Sequence, residues 1–301
     1  MKKEEKDIIL QTLKVEEKAQ LLPFLIDQKV RKSRNAIKSL LSHKQVKVNG
    51  KVETLFNFEI SAGDVVTIHK ASHAYDTKQL DGVQVIFEDE YLLVVSKDAR
   101  LLSIATDKEK LETAYGVVSR YLRTANPDAR PYVLHRLDRD VSGLMIYAKT
   151  PFIQEKIQKN WNDIILAQKY VAVVEGRPSP TEGTIETWLT EDKNYVMHSS
   201  DRDNGGQKAI THYNTLKSVR RFAMLEIVTE TARKNQIRVH MKHIGHSIVG
   251  DKKYGASINP IKRMALHAHE LVIKHPATNE TIVLKSPIPQ LMQKLVEPVV
   301  Q

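Results

Sequence analysis

Two arginines bracket one carboxylate in the stretch His135-Arg136-Leu137-Asp138-Arg139-Asp140. Positive neighbours favour the charged form of a carboxylate. A charged, positioned carboxylate can attack as a nucleophile or abstract a proton as a general base. The apolar run Leu144-Met145-Ile146-Tyr147-Ala148 follows, with Ser142 and Gly143 at its start. A charged loop ahead of a buried strand is one way to mount a reactive group at the edge of a core. The plainer reading of Asp138 is an ion-paired loop residue, which is the commoner case for a lone aspartate among charges. Two catalytic templates fail here. A kinase loop would need a Gly-rich phosphate loop, an Asp-Phe-Gly and a correctly spaced Asn, which the chain lacks. Ser142, His135 and Asp138 have no nucleophile-elbow context for a triad.

A second cluster spans Glu230 to His240, where a strand pattern gives way to a helical one. Arg233 lies at the helix entrance, where backbone N–H groups also attract anions. Its planar charge suits a carboxylate partner; a surface phosphate contact or a solvated charge is the plainer reading. A third candidate is Tyr170, in the alternating run Lys169 to Glu175. Alternation sends Tyr170, Ala172 and Val174 to one face, and a tyrosine at a cleft mouth can stack on a base. By frequency alone it is a half-buried strand residue. His240, His243 and His246 are spaced by three and do not share a helical face, so no metal site is expected.

These groups need a scaffold, and 301 residues allow two domains. Cysteine is absent, which excludes disulfides and thiol catalysis. No apolar run approaches a membrane span, and the start Met1-Lys2-Lys3-Glu4-Glu5-Lys6 has no signal core, so a cytoplasmic protein is expected. The net charge is +10, and the window Lys29–Lys51 alone contributes eight Lys/Arg and no Asp or Glu. That clustering points to a polyanionic partner, nucleic acid, more than to plain surface charge.

Residues 1–20 read as a short helix or an extension resting on the next domain. Residues 21–70 read as a compact module. A helix starts at Leu21, Ser33 caps a second one with Ile37, Leu40 and Leu41 inward, and Val46-Lys47-Val48 is a strand before the turn Asn49-Gly50. Gly63-Asp64 turns into the strand Val65–Ile68. Residues 71–83 are polar and aperiodic and read as a linker. Residues 84–301 form the larger domain. Its strands start at 85–87 and 91–95. A helix carries Ala114, Val118, Tyr121 and Leu122, and the Asp138 loop and its strand follow. Ile153, Ile157, Trp161 and Ile164 recur at helical spacing, strands dominate 183–230, Asp203-Asn204-Gly205-Gly206 reads as a hairpin tip, and Asn235–Ile244 as a helix.

The ordered pieces from Ser33-Arg34 through Val46–Gly50 to Gly63–Ile68 resemble an S4 RNA-binding domain. It departs from that pattern at Leu21-Leu22-Pro23, where Arg-Leu-Asp is usual, and at Gln45, where Gly is usual. The larger domain resembles the RluA family of pseudouridine synthases. The resemblance rests on His135-Arg136-Leu137-Asp138 with Ser142-Gly143-Leu144 and Ala148-Lys149, on Lys169–Gly176, and on Arg233 with Gln236–His240. Gly245-His246, Ile248–Asp251, Tyr254-Gly255, Leu266-His267-Ala268 and His275-Pro276 complete it.

The resemblance implies an α+β fold: a small S4-like helix/strand module, then a synthase domain with a mixed, largely antiparallel sheet flanked by helices and loops. It implies isomerisation of uridine to pseudouridine in RNA with no cofactor and no metal. Asp138 would start the chemistry, by attacking the sugar or by taking its 2′ proton. Arg233 would pair with and orient Asp138, and Tyr170 would stack on the uracil and take part in the final deprotonation at C5. RNA contacts would come from Ser33, Arg34, Lys38, Lys47 and Asn49. His135, Arg136 and Arg139 would shape the loop or meet RNA. Ribosomal RNA of the large subunit is the first expectation and transfer RNA the second, for a monomer with no membrane contact. Departures stand at Val141 (usually Thr), Ala232 (Gly), Lys234-Asn235 (Thr-His) and Asp98 (Pro). The rival readings are a non-catalytic RNA-binding or ribosome-assembly factor and a base-releasing hydrolase.

Overall fold

The computed structural model describes residues 9–31, 34–42, 45–69, 79–105 and 112–297. They form an α+β architecture with two sheets of more than two strands.

The first sheet belongs to residues 9–69. Its strands run in the order Ile9–Lys14, Val65–His69, Val46–Val48, Lys51–Val52. The helices Leu21–Asp27 and Arg34–Ser42 close a separate core, in which Leu21, Leu25, Leu41, Val46, Ile60, Val66 and Ile68 are fully buried. Of the two expectations for 1–20, a short helix or an extension resting on the next domain, the helix is absent among the described residues: Ile9–Lys14 is a strand, antiparallel to Val65–His69 with Leu13 opposite Val66. Its apolar stripe is too thin to dock a helix, and the open edge of Val65–His69 takes its backbone hydrogen bonds. The expected turn at Asn49-Gly50 is present, with φ of 50° and 80°, the left-handed pair that a two-residue hairpin needs. The expected N-cap Ser33 lies outside the described residues.

The second sheet has twelve strands, and all but one of its pairings are antiparallel. It starts earlier than expected. Gln79–Leu80 pairs with Val83–Gln84 around Asp81-Gly82, so the end of the expected linker is a hairpin of the larger domain; residues 70–78 lie outside the described residues. The expected hairpin tip at 203–206 is also corrected. Met197–Ser200 and Gln207–Ser218 both pair with Glu182–Glu191, from opposite sides, so this segment crosses over that strand's end. The sequence signalled a turn there, but a turn does not reveal which strands it joins.

The exceptional pairing lies at the centre. Ser142–Ala148, the strand after the Asp138 loop, runs parallel to Leu266–Lys274 at Ser142–His267 and Gly143–Ala268. Gly143 is required there. It has φ 113°, and a Cβ would lie 2.2 Å from the Ala268 carbonyl oxygen. Every residue of Ser142–Ala148 is buried, because the sheet packs a core on each face. That rigid strand carries the loop before it.

Candidate active site

The Asp138 loop is clamped from beneath by residues 97–103. The Ser103 hydroxyl donates to the Leu137 carbonyl at 2.6 Å and accepts the Leu137 N–H at 3.2 Å. Arg100 N–H bonds the Arg139 carbonyl at 2.8 Å. Lys97 is fully buried and donates to the carbonyls of Asp98 (2.8 Å), Leu101 (2.7 Å) and Arg139 (3.2 Å). Burial pushes its pKa down to about 7, while three carbonyl oxygens at its head favour the ammonium form.

Above the clamp, Asp138 meets the helix Gln236–His243. Asn235 Nδ2 donates to Asp138 Oδ2 at 2.6 Å and Arg238 Nη1 donates to the same oxygen at 2.8 Å. Both bonds fall on Oδ2, and the Asp138 side chain is 36% exposed. Arg238 holds a second acid through its remaining fork. Nε and Nη2 donate to the two oxygens of Asp251 at 2.7 and 2.8 Å, and the Asp251 side chain is 1% exposed. The guanidinium also lies 4.8 Å from the Tyr254 ring centroid. Between two carboxylates its pKa is raised against the desolvation that would lower it.

The Asn235 amide is itself fixed. Its Oδ1 accepts from Tyr254 Oη at 3.0 Å, and that oxygen accepts the Met197 N–H at 3.2 Å. Asn235 sits in the left-handed region at φ 54°, which asparagine tolerates better than most residues. Buried Gln236 builds that entrance. Its Oε1 accepts from Arg233 N–H (3.0 Å) and Thr231 Oγ1 (2.8 Å), and its Nε2 donates to Ile210 O and Thr211 Oγ1.

The arginine expectation is therefore corrected. Arg233 is exposed, and its Nε donates to the Lys208 carbonyl at 3.1 Å. It stands before the helix and points along the neighbouring strand. Arg238 is one turn inside, on the face that meets Asp138. A signal existed: Asn235 and Arg238 are three apart and share a helical side, and an acid after the apolar pair Ile248-Val249 is a buried charge in need of a cation.

Tyr170 lies opposite Ala268 and Ile227 in the centre of the sheet, half-buried against the core beneath the site. Burial, and then the charge of Asp138, push its phenol up to about 12. His135 points inward. Its Nε2 accepts the Ile146 N–H at 3.2 Å, its ring meets Trp161 edge-on, and burial pushes its pKa down to about 4. It shapes the loop, and its inclusion among RNA contacts is corrected because a neutral, inward imidazole offers a phosphate no charge. Arg136 and Arg139 are exposed on the loop. Ser142 is a buried link, accepting from Arg263 Nη2 (2.7 Å) and meeting His267 Nδ1 (2.8 Å).

In the first domain Arg34 is exposed, Lys47 is half-buried in its strand, and Lys38 lies 5.3 Å from the Phe56 ring. Asn49 is exposed and clamps the turn. Its amide donates to Asp64 Oδ1 (2.8 Å) and accepts from Val65 N–H (2.9 Å). The three histidines point apart: His240 to Thr187, His243 to Asp201 and His246 to the Glu175 carbonyl.

A cavity of about 270 Å³ opens beside Arg238, lined by Arg100, Lys252, Lys262 and Arg263 with Asp140 and Asp251. Cations exceed acids at its wall, so it favours an anionic ligand. A carboxylate held through one oxygen by Arg238, which also lines this electropositive opening, sits at the edge of a mixed sheet. The fold is shared with human RNA Pseudouridylate Synthase Domain Containing 4, at TM-score 0.58 and 22% identity over 69% of this chain and 90% of that one.

Residues 91–243 match the family model described as RNA pseudouridylate synthase. An uncharacterized RNA pseudouridine synthase of Bacillus subtilis, YlyB, is 32% identical over 88% of this chain and 89% of its own. Ribosomal large subunit pseudouridine synthase D of Escherichia coli is 30% identical over 88% of this chain and 86% of its own. The chain belongs to the RNA pseudouridylate synthase family, and is an isomerase acting on RNA.

Proposed function

We propose that the chain isomerises uridines of large-subunit ribosomal RNA, with Asp138 as the reacting group. One observation carries the catalytic assignment: Asp138 Oδ2 is held at 2.6 and 2.8 Å while the side chain stays 36% exposed. A carboxylate anchored through one oxygen presents the other in a fixed direction, which is how orientation lowers a barrier. In the reaction the N1–C1′ bond breaks, the base turns, and C5 bonds to C1′. C5 loses its proton and N1 gains one, so the product is an isomer and nothing is consumed. Oδ1 starts this either by attacking C1′ or by taking the 2′ proton.

Arg238 and Asn235 position that oxygen; Arg233 lies outside the arrangement. Tyr170 offers its ring to the uracil. With a pKa pushed up to about 12 it is a phenol at neutral pH, so it takes the C5 proton only if substrate binding lowers that value. The target base must leave its stack, at a cost of about a few kcal/mol. The cationic wall of the cavity beside Arg238 and the basic 9–69 module, which we read as S4-like, offset that cost through phosphate contacts. The ribosomal assignment is supported by the relatives from Escherichia coli and Zymomonas mobilis, both named Ribosomal large subunit pseudouridine synthase D.

The test is to incubate the protein with RNA from a strain that lacks it and to map pseudouridine. Product at defined uridines of large-subunit RNA is expected. Product confined to transfer RNA would replace the substrate class, and none on any cellular RNA would remove the reaction. Asp138→Asn is expected to abolish product while RNA binding persists.

A further inference from the structure

The turn at 192–195 joins the strands Glu182–Glu191 and Met197–Ser200. Its last residue, Tyr195, is 69% exposed. It also lies in the left-handed region at φ 60°, where a bulky side chain is uncommon and Asn or Gly is usual. The turn is tied down. Asp192 Oδ1 accepts from the N–H groups of Asn194 (2.8 Å) and Val196 (2.9 Å), and the Asp192 carbonyl accepts from Tyr195 N–H (2.9 Å). The Tyr195 carbonyl accepts from Lys253 Nζ at 2.7 Å. A large ring is thus held outward on a rigid support, with little of its face used inside the protein.

Two lysines flank it among the acids Glu191 and Asp192, and these contacts lead to Asp138. Lys234 Nζ lies 5.4 Å from the Tyr195 ring centroid, and Lys234 precedes Asn235, which holds Asp138. On the other side, Met197 anchors Tyr254, which holds Asn235. Lys253 also borders the cavity beside Arg238. Lys234 is paired with Glu191, but an ammonium has three donors and keeps some for a second acceptor. An exposed aromatic with lysines around it, fixed next to a site that needs its target base unstacked, fits single-stranded nucleic acid. Each base has a face to stack and each link has a phosphate to neutralise.

We infer that Tyr195, with Lys234 and Lys253 beside it, forms a subsite for one unpaired nucleotide flanking the target uridine, its base on the ring and its phosphate on the lysines. The inference rests on the RNA-modifying reading above and adds a second point of hold on the strand. With the neighbour stacked outside, the target base is drawn from its own stack towards Asp138. Because the turn is already ordered, the contact loses little entropy on binding.

The test uses the full-length protein and single-stranded, uridine-rich RNA oligonucleotides with 2-aminopurine placed at successive positions. Emission from one position is expected to be quenched on binding. Tyr195→Asn keeps a residue that tolerates the left-handed backbone and removes the ring. It is expected to abolish that quench and weaken binding roughly 5- to 150-fold, the range for one base on one aromatic. Tyr195→Phe should retain both, and it guards against a folding artefact. Binding of Tyr195→Asn within twofold of wild type, or a wild type that quenches no position, would overturn the subsite. Quenching by a wild type that forms no pseudouridine on cellular RNA would keep the subsite and remove the reaction.

Discussion

Arg238 serves two acids, and its two contacts have different consequences. Asp251 is buried, so removing its cation leaves a charge that water cannot reach. Arg238→Ala is expected to destabilise the fold by about 3–5 kcal/mol, the usual cost of breaking a buried pair from one side, read from urea midpoints. Asn235 separates positioning from stability. Asn235→Gly keeps a residue that accepts φ 54° and removes the amide that bonds Asp138, together with the acceptor of the Tyr254 hydroxyl, which still takes the Met197 N–H. It is expected to lower kcat roughly 10- to 150-fold, the worth of a hydrogen bond to a charged group, with KM little changed. An Asn235→Gly enzyme with wild-type kcat would show that Arg238 suffices to orient the carboxylate.

At the scale of elements, the loop is only as well placed as the segment under it. Lys97 joins carbonyls from both sides of that junction, so Lys97→Met should cost about 1–3 kcal/mol for each carbonyl left without a donor. It should also slow the reaction by loosening the segment under the loop, whose Arg139 carbonyl then keeps only the Arg100 N–H. The pH dependence has a definite sign. Burial lowers the folded pKa to about 7 from 10.5, so between those values the unfolded chain binds more protons at this site and stability rises with pH. The stability gap between wild type and Lys97→Met is therefore expected to widen from pH 7 to pH 10 in denaturant titrations. A constant gap would show that the carbonyls hold the ammonium fully protonated.

For the whole molecule, an acid-free run of eight Lys/Arg, Lys29–Lys51, lies in the first domain, which has a core separate from that of the large sheet. The RNA grip proposed for it would be electrostatic, and salt dependence measures it. Replacing Arg34 and Lys38 together by Gln should raise the KM for RNA. It should also flatten the plot of log K against log salt by about 0.7–0.9 for each phosphate that is no longer neutralised. An unchanged slope would move the grip to the cavity wall at Arg100, Lys252 and Lys262. No helix among the described residues is long and apolar enough to cross a membrane.

Local chemistry wrote much of this into the chain. The alternation at Val46–Val48 and Val65–His69, the left-handed pair Asn49-Gly50, the all-apolar strand after Asp138 and the helix carrying Ile237 and Met241 are short-range features, and each formed where its residues favoured it. Asp138 was a candidate in the sequence because its charged loop and buried strand are contiguous, and the resemblance of its motif raised it above an ion-paired loop residue. Its partner was not, because Arg238 is 100 residues away and Arg233 is the better cation by position along the chain. Only folding decides which of two arginines five residues apart turns towards a given carboxylate, since the helix sets their directions and Gln236 sets where the helix starts. The strand at Ile9–Lys14 and the crossover at 203–206 escaped for the same reason. A strand edge in need of a partner, and the strand beside which a turn lands, are properties of the assembled sheet. Sequence alone determined the candidate reactive group, the basic module and the α+β class. Tertiary structure decided which side chains hold Asp138 and which of its oxygens is left open.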